Sequence, residues 1–164
     1  MIRFMYVVFF RDGTDMEKKV ILGVIGSDAH VVGITILEQA LSASGFDVVN
    51  VGVQTSQEEF IDAAKAHDAE AVLVSSLYGH AKQDCEGFHA KLAEAGLDVA
   101  TYIGGNLAVG QDDFEETRAF FEDMGFDRVF DSETDPEEAI AALKADLEVA
   151  MAEDEREHEQ RLEA

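Results

Sequence analysis

Apolar positions along the chain gather into short continuous runs, separated by longer stretches with helical spacing. Residues 20–25, VILGVI, contain no polar side chain, which marks a strand covered on both faces. Residues 33–44 follow with Ile34, Leu37 and Leu41 on one helical face and stop near Gly45. Residues 47–53 read as a second strand. Ser56, ahead of Glu58 and Glu59, is an N-cap for a helix continuing through 60–67. Residues 71–74 form a third strand, 83–95 a helix stopped by Gly96, and 99–103 a fourth strand. A helix over 112–124 is stopped by Gly125, and 128–130 is a short fifth strand. Asp135 and Pro136, as N-cap and first helical residue, open a last helix running to about residue 150.

Five strands alternating with five helices predict an α/β fold. Right-handed crossovers then give a flavodoxin-like (Rossmann-like) five-stranded parallel sheet with helices on both faces. Such sheets bind ligands beyond the carboxyl ends of their strands, at the topological switch point. Attention therefore falls on three loops. The first is Gly26-Ser27-Asp28-Ala29-His30-Val31-Val32-Gly33, the third Ser75-Ser76-Leu77-Tyr78-Gly79-His80, and the fourth Gly104-Gly105-Asn106-Leu107-Ala108-Val109-Gly110.

The two ends of the chain differ from this pattern. Residues 1–15, MIRFMYVVFFRDGTD, have an apolar run far too short to span a bilayer and no small-residue cleavage site. They read as a leader, disordered or a misassigned start ahead of Met16; an extra edge strand over 4–10 is the rival reading. Residues 16–150 form the one domain. Residues 151–164 are highly charged and read as a frayed helical extension or tail.

Composition narrows the function classes. The chain has 164 residues, enough to bury about 70% of the surface its unfolded form exposes, so neither disulfide nor structural metal is needed. Its single cysteine excludes an internal disulfide and a cysteine-rich zinc site. With 35 acidic and 12 basic residues the net charge is −23, which disfavours nucleic acid and anionic membranes as partners. The acids are spread along the chain in pairs such as Asp112-Asp113, Glu115-Glu116 and Glu137-Glu138. That spread favours a protein of a salt-rich cytoplasm over one that meets a basic partner.

The loops exclude several familiar chemistries. The first has no G-x-G-x-x-G and no Gly-Lys-Ser/Thr, so dinucleotide and P-loop readings fail. Ser75 stands where a phosphorelay receiver needs an aspartate, and it lacks the G-x-S-x-G frame of a hydrolase elbow. What remains is Asp28 two positions from His30, either a satisfied surface pair or a carboxylate that fixes the tautomer of a metal-binding imidazole. Ser75, Gly104 and Gly105 are small enough for a large flat or elongated ligand to approach the backbone. His80 is a weaker candidate from its loop. Cys85 reads as a buried small hydrophobe, and His67, His89 and His158 as surface residues on helices.

Asp28-x-His30-x-x-Gly33, Ser75-x-Leu77 and Gly104-Gly105 occur in order at three strand ends. Together they resemble the D-x-H-x-x-G, S-x-L and G-G signature of cobalamin-binding domains. VILGVIGSDAHVVG, VVNVGV, VSSLYGH, GGNLAVG and MGFDRVF resemble more closely the small, cobalamin-binding subunits of glutamate mutase (methylaspartate mutase), over residues 16–147. Ala29 replaces a cysteine usual between the Asp and the His; that position is not a metal ligand in the pattern.

The resemblance implies a role for each matching residue. His30 would be the lower axial ligand of cobalt, displacing the cofactor's own dimethylbenzimidazole, with Asp28 hydrogen-bonded to its far nitrogen. Ser27, Ala29 and Val31 would flank the ligand. The displaced nucleotide tail would lie between the sheet and the first helix, near Ser75, Ser76, Leu77, Gly104 and Gly105, with Asn106, Leu107, Ala108, Val109 and Gly110 completing the edge. The implied reaction is the adenosylcobalamin-dependent interconversion of L-glutamate and threo-3-methylaspartate, an isomerase activity begun by homolysis of the cobalt–carbon bond. The site loops lack an arginine cluster for two carboxylates. This fits the family's division of labour, in which a separate large TIM-barrel subunit binds L-glutamate, two small and two large subunits assembling as a heterotetramer. The implied location is cytoplasmic.

Two other readings share the fold. A corrinoid carrier module of a cobalamin-dependent methyltransferase shares the motif too, but such carriers commonly have a helical cap domain upstream. A receiver-like or flavodoxin-like interaction protein would bind no cobalt. The charge generates its own prediction. In molar salt the Debye length shrinks to about 3 Å and repulsion among the carboxylates is screened. The melting temperature should rise steadily from low to molar potassium chloride; an unchanged value would refute the halophilic reading.

Overall fold

The computed structural model describes residues 18–26, 32–76, 80–107 and 113–147. Five strands, β1 (Lys19–Ile25), β2 (Asp47–Thr55), β3 (Ala71–Ser76), β4 (Ala100–Gly105) and β5 (Arg128–Phe130), form one parallel sheet in the order β2-β1-β3-β4-β5. This is the flavodoxin-like order, with its switch point between β1 and β3. No described helix is long and apolar enough to cross a membrane.

The uninterrupted apolar run of β1 is explained by its central place. Val20, Leu22 and Val24 pack into one layer, and Ile21 and Ile25 into the other, as the two-residue repeat of a strand requires. On the first face lie α1 (Val32–Ala43), through Ile34 and Leu41, and a helix over 136–147, here α6, through Ile140, Leu143 and Leu147. On the other face lie α2 (Gln57–His67), α3 (Ala81–Asp84), α4 (Phe88–Glu94) and α5 (Phe114–Met124), around Phe60, Cys85, Phe88, Leu92 and Phe121. Phe60, Phe88 and Phe121 are fully buried and anchor that layer.

The expected helix boundaries hold where caps define them. Ser56 Oγ accepts from Glu59 N at 3.1 Å, and Asp135 Oδ1 accepts from Glu137 N at 3.0 Å. Asp113 caps α5, which ends at Gly125. The helix expected over 83–95 is instead two short helices, α3 and α4. Gly87, at φ 79°, turns the chain between them, and this lets Cys85 and Phe88 both enter the core. The Gln57 side chain takes up backbone carbonyls freed by the break, donating from Nε2 to Asp84 O at 2.7 Å and Glu86 O at 2.9 Å. The expectations for residues 1–15 and 151–164 lie outside the described residues, as does His158.

A polar lock holds α6 to the sheet. Tyr102 on β4 donates its hydroxyl to the Asp146 carboxylate, which also accepts from Arg128 Nε and Nη2 at 2.8 Å each. The guanidinium keeps Asp146 below the usual carboxylate range, while burial and the Asp146 contact push the Tyr102 hydroxyl up.

His89 corrects an expectation. It is not a surface residue but half-buried, edge-on to Phe88 and Phe126, and packed against Gly125 where a Cβ would lie 2.6 Å from its ring. Its Nε2 sits 3.0 Å from Thr101 Oγ1, and the Thr101 hydroxyl in turn points to Gly125 O at 3.5 Å. Nδ1 is buried with no partner among the described residues. The neutral tautomer with its proton on Nε2 satisfies this arrangement; a second proton on Nδ1 would be stranded. Burial accordingly lowers the pKa, against a weaker pull from Asp127. The folded chain thus takes up this proton less readily than the unfolded chain. The His89 contribution is complete above about pH 6.5 and is lost as pH falls through that value. Denaturant midpoints should fall more between pH 7.5 and pH 5.5 in the wild type than in His89→Gln; equal falls would contradict the assignment.

Candidate functional site

A cavity of about 320 Å³ opens at the carboxyl ends of β3, β4 and β5, between α1 and the start of α6. The β3–β4 register creates its floor by setting Ser75 beside Gly104, while β1 reaches the same edge with Val24 beside Ser75. Small side chains on neighbouring strands leave the sheet surface bare there. A Cβ on Gly104 would meet nothing nearer than Phe130 Cβ at 3.6 Å. Leu73 and Tyr102 continue the floor, Ile34 and Leu37 form the α1 wall, and Pro136 and Ala139 form the α6 wall. The interior is apolar; the mouth is polar, with Asp131, Ser132, Thr134 and Asp135. Asp131 Oδ1 is already engaged, accepting from Glu133 N at 3.0 Å and from Thr134 Oγ1 at 2.8 Å. The volume and lining suit one flat ring system inside and a polar linker at the rim.

The structure brings together four residues expected at the site: Gly33, Ser75, Gly104 and Gly105 all line the cavity. Ser76 and Leu107 are buried, and Leu107 belongs to the core of the opposite face. Asn106 is exposed at the end of β4. Ser27, Asp28, Ala29, His30, Val31, Leu77, Ala108, Val109 and Gly110 lie outside the described residues. The flanks of the first loop are nevertheless placed: β1 ends at Ile25 with Gly26 after it, and α1 begins at Val32. His80 heads α3, exposed and away from the cavity lining. The thiol of Cys85 is buried, and burial with the nearby Asp84 charge pushes it up to about 12, which makes it a packing residue and no nucleophile.

The sequence reading missed the third wall. Phe130 ends β5, and Asp131, Ser132, Thr134, Asp135 and Pro136 follow it, on the same sheet edge as the other strand ends. The strand-end rule that selected the first, third and fourth loops applies equally to the fifth.

The family model of the B12 binding domain matches residues 18–141. A glutamate mutase sigma subunit of Haloarcula marismortui is 73% identical over 144 residues, covering 88% of this chain and 95% of that relative. The chain belongs to the glutamate mutase sigma subunits. Another sigma subunit, from Halobacterium salinarum, is 59% identical over 133 residues, covering 81% of this chain and 89% of its own length. Membership of this family makes the chain an isomerase subunit with a B12-binding domain, as the motif resemblance implied, and leaves the methyltransferase carrier reading with less support. Among solved structures, a cobalamin-binding protein from Desulfitobacterium hafniense superposes with a TM-score of 0.65 at 22% identity, over 80% of this chain and 59% of that one, and so shares the fold. The relatives' genera agree with the acidic surface expected of a salt-adapted sigma subunit.

Proposed function

We propose that the chain holds adenosylcobalamin for glutamate mutase, with His30 as the axial cobalt ligand and the cavity between α1 and α6 as receptor for the displaced nucleotide tail. The observation that carries this is the cavity's position. It lies at the carboxyl edge of the sheet, where β1 ends at Ile25, and it is lined by the small residues Ser75, Gly104 and Gly105 at the ends of β3 and β4. Within it, Ile34, Leu37, Leu73 and Tyr102 exclude water from a benzimidazole-sized ring, while Gly104 and Gly105 let it lie on the backbone. Asp28 holds the His30 ring in one tautomer through its far nitrogen and raises its basicity. Leu77, Asn106, Ala108, Val109 and Gly110 border the tail at the loop edges, while Leu107, buried in the core of the opposite face, does not touch it.

When bound, the cofactor supplies the radical chemistry for interconverting L-glutamate and threo-3-methylaspartate. Substrate selection falls to a partner. Among the described residues, the cavity mouth carries Asp131 and Asp135 and no basic side chain, so it offers no counter-charge to a substrate with two carboxylates. A large TIM-barrel subunit therefore binds L-glutamate and closes over the corrin, two of each subunit forming a cytoplasmic heterotetramer.

Two variants test the arrangement. His30→Ala should abolish the protein-nitrogen coupling in the electron-paramagnetic spectrum of bound cob(II)alamin. Gly104→Leu should fill the cavity with an unstrained backbone and weaken adenosylcobalamin binding by tenfold or more, about 1.4 kcal/mol, with the fold retained. Nitrogen coupling that survives His30→Ala, or wild-type affinity in Gly104→Leu, would refute the respective assignment. Mixing the chain with the large subunit, adenosylcobalamin and L-glutamate should yield 3-methylaspartate; product formed equally well without this chain would refute the two-component enzyme.

A further inference from the structure

At the root of the first loop, Gly26 has φ 76°, in the left-handed region, and its N–H donates to Thr55 O at 2.9 Å. The space a side chain would need at residue 26 is filled by the Asp84 carboxylate. A Cβ there would fall 2.2 Å from Asp84 Oδ2, 2.5 Å from Cγ and 2.9 Å from Oδ1. Asp84 Oδ2 is buried, at the last residue of the four-residue helix α3.

Asp84 is also held from behind. Its N–H donates to His80 O at 2.9 Å, and its own carbonyl accepts from Gln57 Nε2 at 2.7 Å. The same amide holds Glu86 O at 2.9 Å, so the turn after α3 is clamped to the first residue of α2. Gln57 follows Thr55 by two residues, so the element that anchors Gly26 also anchors Asp84. The end of β1 is thereby wedged between the end of β2 and the α3 turn.

We propose that Asp84 is a positioning residue for the cobalt-ligand loop. Its carboxylate buttresses Gly26 and so fixes the backbone at the residue from which that loop starts. This rests on the assignment of His30 as the cobalt ligand. An isosteric amide keeps this buttress against Gly26 and truncation removes it.

The test compares the wild type with Asp84→Asn, Asp84→Ala and Gly26→Ala. The measurements are adenosylcobalamin affinity, nitrogen coupling in the spectrum of bound cob(II)alamin, and melting temperature. Asp84→Ala and Gly26→Ala should each lose about tenfold or more in affinity and blur the nitrogen coupling. Asp84→Asn should stay within about threefold of wild type and keep the coupling sharp. Asp84→Ala should melt close to the wild type. Unaltered affinity and coupling in Asp84→Ala, beside normal wild-type ligation, would overturn this proposal alone. So would equal losses in the Asn and Ala variants that simply track a fall in melting temperature. A wild-type chain that binds cobalamin with the cofactor's own base still on cobalt would overturn the His30 assignment, and this proposal with it.

Discussion

Burial of both sheet faces is the constraint from which the site follows. With β1, β3 and β4 at the middle of a parallel sheet, side chains on either face must be apolar, and polar chemistry is confined to the ends of the strands. The parallel register then brings the carboxyl ends of β1, β3 and β4 level with one another. Val24, Ser75 and Gly104 stand side by side, and the sheet ends in a strip with little side-chain cover. A close-packed interior does not tolerate such a strip without something to lie on it. The chain leaves it open between α1 and α6, as the cavity that the proposed function assigns to a flat ring of the cofactor.

The two helices that frame the cavity are held at their other ends. Leu41 and Phe46 bury the far end of α1 region in the core, and the Tyr102–Asp146–Arg128 lock fixes the far end of α6. Both helices are therefore anchored near the amino edge of the sheet and meet the cavity with their opposite ends. That division places Ile36, 52% exposed, beside the opening. At this edge Gly26, the residue after β1, is held by Thr55 and Asp84.

Much of this was legible in the residue pattern because the physics is local. The VILGVI run, the Ser56 and Asp135 caps and the stop at Gly125 each encode one decision about the backbone, and each is found as read. The split of the third helix was hidden because apolar spacing continues through Gly87; the break depends on Gln57, 30 residues earlier, supplying hydrogen bonds to the turn. His89 was misread for a similar reason: its partners Thr101, Gly125 and Phe126 come from two later segments, β4 and the turn after α5. Gly33, Ser75, Gly104 and Gly105 could be grouped from sequence because each lies at a strand or helix end of known direction. The α6 wall could not be, because it depends on where that helix docks.

The central claim is that one imidazole replaces the cofactor's own base while that base enters the cavity beside α1. A crystal structure of the chain with cobalamin tests it most directly. The account predicts the His30 ring on cobalt and the benzimidazole lying over Gly104 between Leu37 and Ala139. A map with the benzimidazole still coordinated to the metal, and the space beside Gly104 empty of ligand, would contradict it.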